Sequence, residues 1–143
     1  MNTNRQTTIT RTHMTMNRGA ALLYASVAAG VVAFQIALAA GMPWGAYAMG
    51  GAFPGQFPPA LHSAALVGAA LYVGLAAVVL VRAGRILPAW SRMSRWLIWM
   101  VVAVMAVGLV LNLITPSAGE RALWAPVTGI LLLSSAVVAL RGR

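Results

Sequence analysis

The chain alternates between long apolar runs free of charge and short stretches that hold every charged residue. The runs cover residues 20–40, 61–81, 96–114 and 123–140, and none contains Asp, Glu, Lys or Arg. A hydrocarbon core about 30 Å thick needs roughly 20 residues of apolar helix to cross it. A charged residue at the centre would cost about 2.5–3.5 kcal/mol, so nothing in these runs opposes insertion. The pattern therefore predicts an all-α protein, a bundle of four transmembrane helices. Residues 1–19 form a polar cytoplasmic segment, expected to be mobile or only partly helical, and residues 20–143 form the membrane domain.

The first run needs a separate decision, because arginines followed by apolar residues and the small-residue stretch Ala37, Leu38, Ala39 resemble a cleavable signal peptide. A signal h-region is about 7–15 residues long. This run has 21, and the 19 residues before it include six threonines, which favours a retained helix.

The connections set the orientation. Arg5, Arg11 and Arg18 precede the first run, Arg82, Arg85, Arg92 and Arg95 join the second to the third, and Arg141 and Arg143 follow the fourth. The other side has Arg121 alone, since the connection 41–60 is uncharged. By the positive-inside rule both termini and the middle connection are cytoplasmic. Trp90, Trp96 and Trp99 then mark the inner interface, and Trp44 and Trp124 the outer one. Gly84 suits the left-handed residue that ends a helix, and Pro88 discourages its continuation. Residues 89–95 would lie along the inner interface with their arginines at lipid phosphate.

Composition narrows the class further. Hydrophobic residues make up 61% of the 143 and charged residues 8%, with mean hydropathy +0.84, outside the range of soluble domains. A net charge of +9 would suit a nucleic-acid binder. However, the arginines lie between apolar runs, with no interleaved aromatic platform, so no nucleic-acid partner is expected. With no cysteine in the chain, disulfides, thiolate metal sites and dithiol redox chemistry are excluded.

Helices in lipid associate through small residues and a few polar contacts. Ala21, Ala25, Ala29, Ala33 and Ala37 recur at every fourth position, with Ser26 and Gly30 beside them. Ala60, Ala64 and Gly68, and then Ala70 and Gly74, continue the theme in the second run. These stripes are expected contact faces, within one bundle or between copies.

Polar residues within a membrane are candidate functional groups. Gln35 and Asn112 lie toward the outer ends of their helices, suited to hydrogen bonds with neighbours. Glu120 is the only acid in the chain and Arg121 the only outer base, so an ion pair is one reading. The spacing of Ser117 and Glu120 is also that of a capping box opening the fourth helix, where a carboxylate gains about 0.3–1 kcal/mol from the helix dipole. Pro126 then falls inside that helix, unless the span starts near Trp124.

The uncharged outer connection mixes Pro43, Trp44, Tyr47, Phe53, Pro54, Phe57, Pro58 and Pro59 with Gly45, Gly50, Gly51 and Gly55. A segment this apolar suits a re-entrant or interfacial cap over the helix ends, with His62 beneath it. His62 has no partner at ligand spacing, and His13 lies on the other side, so no metal site is expected. The candidate contact site is thus Trp44, Tyr47, His62, Asn112, Glu120, Arg121 and Trp124, with no catalytic or cofactor-binding residue assigned.

Four features carry a resemblance: the run Gly41-Met42-Pro43-Trp44-Gly45, the pair Gly50-Gly51, the Phe57-Pro58 entry to the second helix, and the run Glu120-Arg121-Ala122-Leu123-Trp124-Ala125-Pro126. Spread over most of residues 41–127, they resemble an uncharacterised family of small bacterial four-helix membrane proteins. The resemblance implies the same topology in a bacterial inner membrane, and an arginine is common in the family near the position of His62.

Three functions are compatible with these readings. The first is a non-catalytic accessory subunit or lipid- or apolar-ligand-binding component, with membrane lipids and a membrane protein or second copy as partners. The second is a small oligomeric transporter or channel, against which stands the absence of an acid inside any run. The third is an isomerase-like membrane enzyme using His62 and Glu120.

Overall fold

The computed structural model describes residues 3–86 and 91–141, with side chains described for 15–86 and 92–141. Four helices follow one another: α1 (Thr3–Ala39), α2 (Pro59–Arg82), α3 (Ser91–Ile114) and α4 (Ala118–Arg141). All four are long and apolar enough to cross a membrane, and the described residues contain no strand. The bundle is that of a multi-pass membrane protein. The principal packed pairs are α1 with α2, α3 with α4, and α1 with α4.

Each helix extends past its apolar run. The backbone of α1 is helical from Thr3, through the segment that composition marks as mobile or only partly helical. A helix already formed extends at low cost, because only the first turn bears the nucleation penalty. Ser91 to Arg95 form the opening turns of α3, whereas Pro88, Ala89 and Trp90 lie outside the described residues, as do Arg143 and the side chains of Arg5, Arg11 and His13.

The ends of α1 and α2 are built alike. Gly84 adopts φ +66°. Its N–H donates to Val81 O at 3.0 Å, and the N–H of Arg85 donates to Leu80 O at 2.9 Å, which is the Schellman arrangement. Gly41 repeats it at φ +86°, with bonds to Leu38 O and, from Met42, to Ala37 O. Pro58 and Pro59 open α2, where a proline's missing N–H costs nothing.

The packing faces differ from the expected stripes. On α1 the buried positions are Ala21, Tyr24, Ala28, Val31 and Leu38, while Ala29 and Ala33 are exposed, as are Ser26 and Gly30. The reason is helical geometry. Four residues turn about 400°, so a strict every-fourth stripe winds about 40° further round the helix at each step and leaves the contact face. On α2 the close contacts are Ala65 and Ala69, and Ala60, Ala70 and Gly74 are exposed.

Two clusters fill the interior. The larger gathers Tyr24, Val31, Val79, Ile98, Met105 and Leu131 with their neighbours. The smaller, at the end of the bundle that carries the 41–58 connection, consists of Leu38, Phe57 and Ala65, backed by Phe34, Phe53 and Leu61. At the opposite end Arg82 is buried in the last turn of α2, where the negative end of the helix dipole favours a cation. Arg85, Arg92 and Arg95 are exposed there, as are Trp96 and Trp99.

Candidate functional site

The connection between α1 and α2 folds into two short 3-10 turns, Gly45–Tyr47 and Met49–Gly51, and is closed on itself by the Gly45 N–H donating to Gly55 O at 2.8 Å. It forms a cap held by the turn between α3 and α4. The Ser117 hydroxyl donates to Ala46 O at 3.0 Å, and the Trp124 indole N–H donates to Tyr47 O at 2.7 Å. Glu120 Oε2 accepts from the Gly50 N–H at 2.7 Å and from the Thr115 hydroxyl at 2.8 Å. Gly50 adopts φ +71°, and this left-handed backbone delivers its N–H to the carboxylate.

Half of the expected capping box is therefore present. The Glu120 N–H donates to Ser117 Oγ at 3.1 Å, as the cap of α4 requires. The Glu120 carboxylate is used elsewhere, reaching across to the 41–58 connection. Its position in the first turn also puts it at the positive end of the α4 dipole. Arg121 is exposed, and the hydrogen bonds of Glu120 come from Gly50 and Thr115 rather than from its basic neighbour.

Pro126 lies inside α4, so the Ala122 carbonyl loses its usual N–H donor. Two residues on, the Thr128 hydroxyl donates to Trp124 O at 2.6 Å and approaches Ala125 O at 3.2 Å. The Asn112 amide donates to Thr128 Oγ1 at 3.5 Å, tying α3 to this part of α4.

Beneath the cap lies a cavity of about 250 Å³. Its polar rim is Gln35, Tyr72, Asn112, Glu120 and Thr128, and its aromatic walls are Phe34, Tyr47, Phe57 and Trp124. Phe34 and Trp124 meet edge to face, with centroids 4.7 Å apart and planes at 70°. Gln35 reaches it by lying across Gly68 of α2, where a Cβ would stand 3.0 Å from Gln35 Nε2. What this set offers is recognition by aromatic walls, two amides, two hydroxyls and one carboxylate.

Of the residues singled out from sequence, Tyr47, Asn112, Glu120 and Trp124 border this cavity together. Trp44 stands one ring away, stacked on Phe34 at 5.9 Å, and is itself exposed. His62 does not border it; the imidazole Nε2 lies 3.1 Å from Phe57 O at the start of α2. Arg121 points to the exterior. The cavity also draws on Phe34, Tyr72 and Thr128, none of which is charged at neutral pH. A tyrosine and a threonine within apolar runs are the signals that could have found two of these.

Comparison with protein-family models, with curated proteins and with solved structures gave no match.

Proposed function

We propose that this chain is a non-catalytic component of a bacterial inner membrane, with both termini cytoplasmic, that holds a small apolar or amphipathic ligand beneath its outer cap. The observation that carries the reading is the cavity of about 250 Å³ between the helices, walled by aromatic and aliphatic side chains and roofed by a cap hydrogen-bonded to α4. Small-molecule sites combine apolar walls with a few placed polar groups, and this cavity has both. The resemblance to small bacterial four-helix membrane proteins and the arginine bias support the membrane and the orientation.

The test is mass spectrometry of small molecules retained after mild detergent extraction, comparing the native chain with Ala64→Phe. Ala64 borders the cavity at an exposed position of α2, so a larger side chain there obstructs the cavity without entering the core. A species retained by the native chain and lost from the variant is the expected result. Identical profiles would count against the reading. For orientation, a reporter fused after Arg143 should be active only in its cytoplasmic form.

A further inference from the structure

We infer that the cavity beneath the cap is a site for a small organic cation, with Glu120 as its counter-charge. The inference rests on the ligand-binding reading above and specifies the chemistry of the ligand.

Glu120 is the only acid in the chain and only 9% exposed. Both of its side-chain hydrogen bonds fall on Oε2, and Oε1 takes none from the described residues. A carboxylate withdrawn from water is costly unless a positive group offsets it. The N-terminus of α4 supplies part of that offset, as about half a charge. Among the described residues, no arginine borders the cavity. A buried acid thus borders a space that no described arginine lines.

The walls favour the same class of ligand. Phe34, Tyr47, Phe57, Tyr72 and Trp124 border the space, with Phe34 and Trp124 meeting edge to face among them. Aromatic faces attract ammonium groups through their quadrupole, more strongly out of water. A purely apolar ligand would set the Glu120 carboxylate against hydrocarbon, and an anion would be repelled. A volume of about 250 Å³ is below the roughly 300–1,000 Å³ of drug-sized sites, which restricts the occupant to a small cation with apolar substituents.

The experiment compares two probes of nearly the same shape, phenyltrimethylammonium and its neutral isostere tert-butylbenzene, on the full chain in phosphatidylcholine nanodiscs. Equilibrium dialysis of radiolabelled cation measures its binding, and intrinsic tryptophan fluorescence against empty nanodiscs follows the neutral probe. The cation should bind the native chain, and Glu120→Gln should weaken it about tenfold or more while weakening the neutral probe by far less. Ala64→Phe should weaken both. If only the neutral probe binds, or if Glu120→Gln leaves the cation's affinity intact, the cation assignment is overturned and the apolar-ligand reading stands. If neither probe binds, both readings fail.

Discussion

The backbone N–H of Gly50 stands 2.7 Å from Oε2 of Glu120, 70 residues further along the chain. This bond joins the cap to the first turn of α4, and its donor belongs to the main chain. Charge-assisted bonds to a carboxylate are about twice as strong as neutral ones, so losing the acceptor matters more than losing a typical surface contact.

Glu120→Ala is expected to destabilise the chain by about 2–4 kcal/mol, because it leaves both the Gly50 N–H and the Thr115 hydroxyl without their acceptor. Glu120→Gln keeps an acceptor oxygen in place and should cost about half as much or less. Unfolding in mixed dodecylmaltoside and SDS micelles reads the difference. Equal losses in the two variants would show that the acceptor is not what stabilises the turn.

Trp124→Phe retains a ring beside Phe34 and removes the N–H that donates to Tyr47 O. The expected cost is about 1 kcal/mol. The clearer signature is local: hydrogen exchange should accelerate at the amides of residues 45–52 and stay unchanged in α3. Uniform acceleration over all four helices would mean that the indole stabilises the bundle as a whole.

Gly51 and Gly55 both have positive φ, at +73° and +98°. A Cβ on Gly51 would stand 3.1 Å from Ser117 Cβ and 3.3 Å from Ala46 O, whereas one on Gly55 meets nothing within 4 Å. Gly51→Ala carries both a conformational and a steric penalty, and should lose about 2–3 kcal/mol. Gly55→Ala carries the first alone and should lose about 1–2 kcal/mol. The ranking is checked in the same micelle titration, and the reverse order would contradict the docking of the cap on Ser117.

Gly68 gives way to the Gln35 side chain. Gly68→Val should cost about 1–3 kcal/mol through overpacking. In a Gln35→Ala background the same substitution should cost at least about 1 kcal/mol less, because the group it strikes has gone. Additive effects of the two changes would place Gln35 away from α2.

The four helices were legible in the sequence because an uncharged apolar run of spanning length has few other uses. Their ends were less so. Hydropathy registers what lipid would cover, whereas Pro59 and Ala118 begin helices and Thr3 extends one for reasons of backbone hydrogen bonding. The Schellman end at Gly84 was legible, since one residue type serves one conformation. Within one copy the contact face of α1 follows the helical period of 3.6, which an every-fourth stripe leaves after a few turns.

The site was legible in part. Spacing identified Ser117 as the cap of α4, and the scarcity of acids drew attention to Glu120. Nothing in the residue types could reveal that the carboxylate would turn to Gly50, since the group it binds is one that almost every residue possesses. His62 looked eligible by its chemistry, and its place on α2 leaves it bonded to Phe57 O, clear of the cavity.

The hydrogen bonds that tie the cap to the start of α4 all fall on the cap's main chain. Ser117 binds the carbonyl of Ala46, Trp124 that of Tyr47, and Glu120 the N–H of Gly50. Such a junction has side-chain identity on only one of its two faces. Across related chains, Ser117, Glu120 and Trp124 are expected to hold still while the side chain at position 46 drifts independently of them. Pairwise co-variation, the usual trace of two segments in contact, would then be faint at the junction that closes the bundle.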